Sequence, residues 1–530
     1  MRNTLMLAVA FGAAAVSAAP KQSKQPKPSA TPIPVNTTAS STTCNGKQYA
    51  YKNFAGYGFV PYDARDSRKD TIGGIGSSAA IEKDSWELVG KNKYSGILWG
   101  LPDRGFNVYG TINYQPRIQK FKITFDAGQT TGSPNNTNVK LVYKETIFLT
   151  DPSGTPMTGL DGDIKAGSHA SFPGFPDLPV VHYTGDGFGN NGTGGTRVPL
   201  DAEGLVLNDD GSFWISDEYG PYVYKFNSNG KMIEAIRPPN AFIPQRNGTE
   251  SFSADSPPIY NPKADPSPAD PVTGRQNNQG LEGLTISPNG KKLFTLMQSA
   301  LRQDGGNGGS SNRYYDRFLT YDITGKTPKA TGEYVVKLPL AADGKTAAQS
   351  EIHYISDTQF FVLARDSNHG VGLPDGLSTY RHIDVFDISN ATNILGKYDD
   401  TNGTIVTAVK AATLKSDINI ATYCSFLNYN DNTQLGKFGL HNGGAQDAGL
   451  LNEKWESIAM VPVHSDDDDI VINKDGSQDY FVFSLSDNDF RAIDVYVNSG
   501  KTLLHDTVNA QNQVLVFKIS LPKGAKPLVG

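Results

Sequence analysis

The chain has 530 residues, with 48 basic and 54 acidic side chains and a formal net charge of -6. Its isoelectric point is near 5.8, and no basic block interrupts the folded part, so nucleic acid is excluded as the expected partner. Two cysteines, Cys44 and Cys424, are too few for a disulfide scaffold, and a large core has to hold the chain.

Arg2, the apolar run over residues 5–16 and the small residues Ser17, Ala18 and Ala19 read as a signal peptide over residues 1–19. That run is too short to span a bilayer and no later stretch is long enough, so no membrane contact is expected. Residues 20–43 are rich in Pro, Ser, Thr and Lys, the composition of a disordered linker. Sequons at Asn36, Asn135, Asn191, Asn247, Asn390 and Asn402 predict a glycosylated, secreted, extracellular protein. In an oxidising compartment Cys44 and Cys424 are expected to pair, the alternative being two buried thiols. The folded domain is placed at residues 44–522, with a tail over 523–530.

Five segments of the domain share one plan: an apolar strand, a polar cluster, then an alternating strand and a turn. They are GILWGLPDRG with KFKITFDAG, SFWISDEYG with YVYKFNSNG, KLFTLMQSAL with RFLTYDITG, QFFVLARDSN with HIDVFDISN, and YFVFSLSDNDF with QVLVFKISL. Repeated antiparallel units of this length predict an all-β fold, a β-propeller. The two longest gaps between copies leave room for degenerate blades, giving six or seven. A cradle of two packed sheets is the alternative.

The polar clusters fall at one position of the repeat: Asp103 and Arg104; Asp217 and Glu218; Gln298 and Ser299; Arg365 and Asp366; Asp487, Asn488 and Asp489. A second series precedes several copies, with Asp201 and Glu203, Glu282, Glu351 and Glu456. Corresponding positions of successive blades face one another, so these groups are expected to form a ring. Clustered buried carboxylates must be paired, protonated or metal-bound. Oxygen ligands without His or Cys suit Ca²⁺. The bland reading is that each caps a turn or pairs with a neighbouring Arg. The acidic run over residues 466–469 reads as a solvated loop. No G-x-S-x-G elbow, H-E-x-x-H helix or Walker loop is present, and the histidines are scattered.

With GGIGSS at Gly73, LPDRG at Leu101, DAEGLVL at Asp201, SDEYGP at Ser216, QGLEGLTISPNG at Gln279, LARDSN at Leu363 and SDNDF at Ser486, the chain resembles the phytase-like family, whose description refers to an esterase-like activity of phytase. The resemblance implies a secreted propeller. Two departures stand out: Ser457 follows Glu456 where a Gly is usual, and Ala364 precedes Arg365 where a Glu is usual. The expected function is metal-assisted hydrolysis of a small anionic or ester substrate by a monomer. Ca²⁺ is assigned to Glu203, Glu282, Asp217, Asn488, Asp487 and Glu456. Arg104 and Arg365 are expected to hold the anion, and Glu218 or Asp366 to act as general base. The alternatives are a non-catalytic glycan- or protein-binding propeller and a lactonase-type propeller enzyme.

Overall fold

The computed structural model describes residues 41–373, 376–465 and 469–530. The expected signal peptide, Asn36 and most of the acidic run lie outside them.

Each of the five repeat copies supplies the second and third strands of a blade. Blade 1 consists of Ser78–Ile81, Lys93–Leu101, Arg117–Asp126 and Val139–Phe148, and blade 2 of Ala202–Leu207, Phe213–Asp217, Val223–Phe226 and Met232–Ile236. Blade 3 is built from Leu281–Ile286, Lys292–Met297, Tyr315–Asp322 and Lys329–Lys337, and blade 4 from Ala348–Tyr354, Gln359–Arg365, Arg381–Asp387 and Thr422–Asn428. Blade 5 runs Ala459–Pro462, Gln478–Asp487 and Asn512–Leu521, and is completed on its outer side by Lys47–Val60 and Ser41–Cys44. The two ends of the domain are thus joined within one sheet.

Among the described residues five blades, not six or seven, make up the propeller. The strands in the two long gaps either complete existing sheets, as Val139–Phe148 and Thr422–Asn428 do, or form small hairpins such as Val181–Tyr183 with Gly195–Arg197. Five apolar clusters seal the interfaces. Each draws on two neighbouring blades, around Phe517 and Phe361, Phe483 and Phe121, Trp99 and Phe213, Trp214 and Leu293, and Phe318 and Phe360. The ring closes without a gap.

Because both faces of a blade pack on neighbours, the third strands are less amphipathic than their alternation suggests: every residue of Arg381–Asp387 is buried. Alternation persists in part of the third strand Arg117–Asp126 of blade 1 and of the outer strand Val139–Phe148. The expected disulfide is present. Cys44 and Cys424 join the outermost strands of blades 5 and 4, with Cα atoms 5.7 Å apart. Residues 41–43, expected in the linker, belong to a strand. Residues 523–530, expected as a tail, return to the blades: Leu528 N donates to Tyr354 O, and Gly530 N to Met460 O. Among the described residues no helix is long and apolar enough to cross a membrane.

Candidate active site

The innermost strands of blades 2, 3 and 4 each carry a bulge at the same place. Leu281 faces Met297 while Gly283 faces Leu296, which leaves Glu282 as the extra residue. Glu203 occupies the corresponding break between Ala202 and Leu205. A bulge re-aims its side chain out of the sheet's alternation, and Glu203 and Glu282 both line one cavity of about 310 Å³. The glycine after each Glu has a packing reason. A Cβ on Gly204 would lie 2.5 Å from Leu284 Cβ and 2.6 Å from Glu282 O, and one on Gly283 would lie 2.8 Å from Gln349 Oε1. Neighbouring blades therefore approach closely enough at these positions to exclude a side chain.

In blade 4 the bulge residue is Ser350, since Gln349 faces Ala364 and Glu351 faces Leu363. Glu351 is one residue out of step with Glu203 and Glu282 and occupies the register of Gly283. It braces the blades instead: Oε2 accepts from Ser78 Oγ at 2.6 Å, and Oε1 from Leu284 N and Ile352 N at 3.0 and 2.8 Å.

Seven buried carboxylates line the cavity, Asp103, Asp201, Glu203, Glu218, Glu282, Asp366 and Glu456, together with the less buried Asp343. Five cations line it as well, Arg104, Arg313, Lys345, Arg365 and Lys454, of which three pair with or stand beside the buried carboxylates. Arg104 reaches Asp201 through its backbone N, 3.0 Å from Oδ1, and through Nη1, 3.1 Å from Oδ2, and also donates to Asn278. Arg365 pairs with Glu456. Lys454 donates to Asp489 at 2.6 Å and lies 3.4 Å from Asp487, so its charge is already shared with two further carboxylates.

The negative charge is therefore only partly compensated. Burial, and then the neighbouring Glu282 and Asp201, push the Glu203 carboxyl well above its usual range. Burial and Asp201 do the same to Glu218 against Arg104, burial and Glu456 to Glu282, and burial and Asp487 to Asp103. Burial raises Asp487 to about 7 despite Lys454. Asp489 is opposed by burial, yet Lys454 holds it below the usual range.

The polar clusters at the strand ends divide into two kinds. Several make turns by accepting from the backbone two residues on: Asp103 from Gly105 N at 2.9 Å, Asp217 from Tyr219 N at 3.0 Å, Asp487 from Asp489 N at 2.6 Å and Asn488 from Phe490 N at 3.2 Å. This local turn chemistry explains their shared register. Asp217 accepts also from Asp201 N, Gly220 N and Tyr224 OH. Asn488 accepts from Gly74 N and donates to Ala510 O. Asp366 accepts from Ser378 Oγ, Thr379 N, Thr379 Oγ1 and Tyr380 N. Asp217 and Asn488, expected as metal ligands, and Asp366, expected as a base, thus have their polar atoms engaged in holding loops. Asp366 stands in the cavity wall, whereas Asp217, Asn488 and Asp487 are not among its lining residues.

One carboxylate oxygen from each of Asp201, Glu203 and Glu218 lies within 4.8 Å of the other two, and the same holds for Asp103, Asp487 and Asp489. In the first group Glu218 Oε1 accepts no hydrogen bond and Asp201 Oδ2 has only its ion pair with Arg104; beside them Glu282 Oε2 is also without a partner. Buried acceptors of this kind, at a spacing spanned by two Ca²⁺–oxygen bonds of about 2.3–2.6 Å, fit a hard divalent cation. Asp201 and Asp103 belong to this centre although the sequence reading assigned them no role, and Lys454 is a further addition. The signal for Asp201 was available two residues before Glu203.

Residues 90–490 match the sequence family described as Phytase-like, esterase-like activity of phytase. An uncharacterized secreted protein of Arthroderma benhamiae is 51% identical over 464 residues, covering 85% of this chain and 89% of that protein. Among solved structures, a Bacteroides fragilis protein provisionally described as a 6-phosphogluconolactonase overlaps 82% of this chain and 84% of its own at 10% identity and a TM-score of 0.23. A Thermus thermophilus protein provisionally described as a glucose dehydrogenase overlaps 93% and 98% at 9% identity and a TM-score of 0.24.

Proposed function

The chain belongs to the phytase-like family, and on that premise we propose that it is a secreted, Ca²⁺-dependent hydrolase of a small anionic ester, acting in the central cavity. The observation that carries this reading is the excess of eight lining carboxylates over five lining cations, with unpartnered oxygens on Glu218 and Glu282. Asp201, Glu203 and Glu218 would hold the ion, which when bound polarises the ester oxygen and offsets developing negative charge. Glu282 is oriented by Gln298, which donates to Oε1. Its free Oε2 accepts a proton from the attacking water, the base role first assigned to Glu218 or Asp366. Burial and Glu456 raise the proton affinity of Glu282, which favours its taking up that proton. Arg365 faces the cavity with Nε unpartnered and is suited to an anionic substrate.

A secretory route is supported by the secreted relative and by the exposure of Asn135, Asn191, Asn247, Asn390 and Asn402. The test is calorimetric titration of chelator-treated protein with Ca²⁺, followed by release of phosphate from phytate and of nitrophenol from simple phosphate and carboxylate esters. Ca²⁺-stimulated turnover that is lost in Glu203→Gln is expected. Absence of Ca²⁺ binding, or of turnover on every ester, overturns the proposal.

A further inference from the structure

Arg313 stands out among the arginines. Every other arginine of the described residues donates a side-chain hydrogen bond to a carboxylate, carbonyl or side-chain oxygen. The Arg313 guanidinium makes none, and its Nε is buried without an acceptor. Its position is nonetheless fixed, because Arg313 O accepts from Ala300 N at 3.0 Å just before the third strand of blade 3 begins at Tyr315. Burial lowers its proton affinity and no carboxylate counteracts this.

The same cavity is lined by two more unpartnered donors, Arg365 Nε and Thr346 Oγ1, both on residues more than nine-tenths buried. Thr346 is tied down by its backbone N, which donates to Ser310 O at 2.8 Å. Two lining carboxylates come from the same segments: Asp343 pairs with Lys345 at 2.9 Å, and Asp366 accepts from Ser378, Thr379 and Tyr380. The cavity thus holds carboxylate oxygens with no donor, on Glu218 and Glu282, and donor atoms with no acceptor, on Arg313, Thr346 and Arg365. Unmade hydrogen bonds of buried groups are costly, and an oxyanion bound in this cavity would offer them acceptors.

We propose that Arg313, Arg365 and Thr346 form an anion subsite that holds the phosphoryl group of the substrate, with Arg313 as its specificity-determining residue. The phosphoryl assignment rests on the donor set, two guanidinium groups and a hydroxyl from separate segments, which matches a group with three acceptor oxygens better than a two-oxygen carboxylate. It builds on the hydrolase reading above by naming the class of ester.

The test is calorimetric titration of the full chain with methylphosphonate, a non-hydrolysable tetrahedral anion, and in parallel with acetate, each with and without Ca²⁺. The wild type is expected to bind methylphosphonate more tightly than acetate. Arg313→Ala is expected to weaken methylphosphonate binding about tenfold or more, the effect of losing a charge-assisted hydrogen bond, and Arg313→Lys to recover part of it. Ca²⁺ affinity and melting temperature should be unchanged in both variants, because the side chain makes no bond in the fold. Equal methylphosphonate affinity in Arg313→Ala overturns the subsite, and so does acetate binding as tightly as methylphosphonate or no anion binding at all. A protein that binds the anion but not Ca²⁺ keeps the subsite and loses the metal-dependent mechanism, so the two readings fail separately.

Discussion

Glu351→Gln separates the carboxylates that brace the blades from those that face the cavity. Glu351 is fully enclosed, accepts three hydrogen bonds from blades 1, 3 and 4 and has no ion pair, and burial raises its carboxyl from 4.5 to about 8. Below about pH 4 the group is protonated in both folded and unfolded chains and contributes no pH dependence. Between the two values the unfolded chain has released the proton and the folded one retains it. Stability therefore falls as pH rises, by up to about 1.4 kcal/mol per unit. From pH 5 to pH 7 the loss amounts to about 2.5 kcal/mol. Gln keeps an acceptor for Leu284 N and Ile352 N and presents an amide to Ser78 Oγ, but does not titrate. The difference in unfolding free energy between wild type and Glu351→Gln should shift in favour of the variant by about that amount over the two pH units. Urea unfolding of both proteins in Ca²⁺-free buffer measures it, since all other titrating groups cancel in the difference. Parallel stability profiles for the two proteins would show that Glu351 is ionised in the fold, and would refute the argument.

Two further expectations follow from the packing. The Cys44–Cys424 bond closes a loop with a sequence separation of 380, so the chain-entropy estimate for its removal is about 6 kcal/mol. For a domain of this size that corresponds to a melting temperature lower by about 6 °C, and an unchanged transition in Cys44→Ser/Cys424→Ser under calorimetry would contradict its role as a staple between blades 4 and 5. Gly204→Ala places a Cβ against Leu284 and the Glu282 carbonyl. A cost of about 1–3 kcal/mol together with weakened Ca²⁺ binding is expected by urea unfolding and titration, while wild-type behaviour in both would mean that the blades are free to separate there.

Much of the propeller was legible because its second and third strands carry the same apolar run, polar end and return in all five copies, as in FWISD with VYKF and FVFSLSD with VLVFKIS. The blade number was not. Outer strands such as Lys329–Lys337 and Thr422–Asn428 share no pattern, and the long segments before Ala202 and after Asp387 hold loops that resemble room for a further sheet. The site was legible to the level of the bulge. Glu203 and Glu282 announce themselves by the following glycine, whose absence after Glu351 marks the one-residue slip. Lys454 and Arg313 carry no local signal at all, since a single cation in a loop acquires meaning only from where that loop returns.

Turn chemistry and cavity chemistry use the same residue types in this fold, and the number of donors each carboxylate receives tells them apart. Asp217 and Asp366 each collect four or more hydrogen bonds from neighbouring loops, so their oxygens are engaged without any ion, and removing either side chain would unfasten a turn. Glu203 accepts none from the protein, and Glu218 and Glu282 each keep an oxygen free. Their unpartnered oxygens add repulsion to the fold, a cost set against five continuous inter-blade cores. Oxygens without donors on Glu218 and Glu282, and donors without acceptors on Arg313, Thr346 and Arg365, are what the proposed cation and oxyanion would together satisfy. A phosphate ester bound to a divalent ion presents that pair of charges.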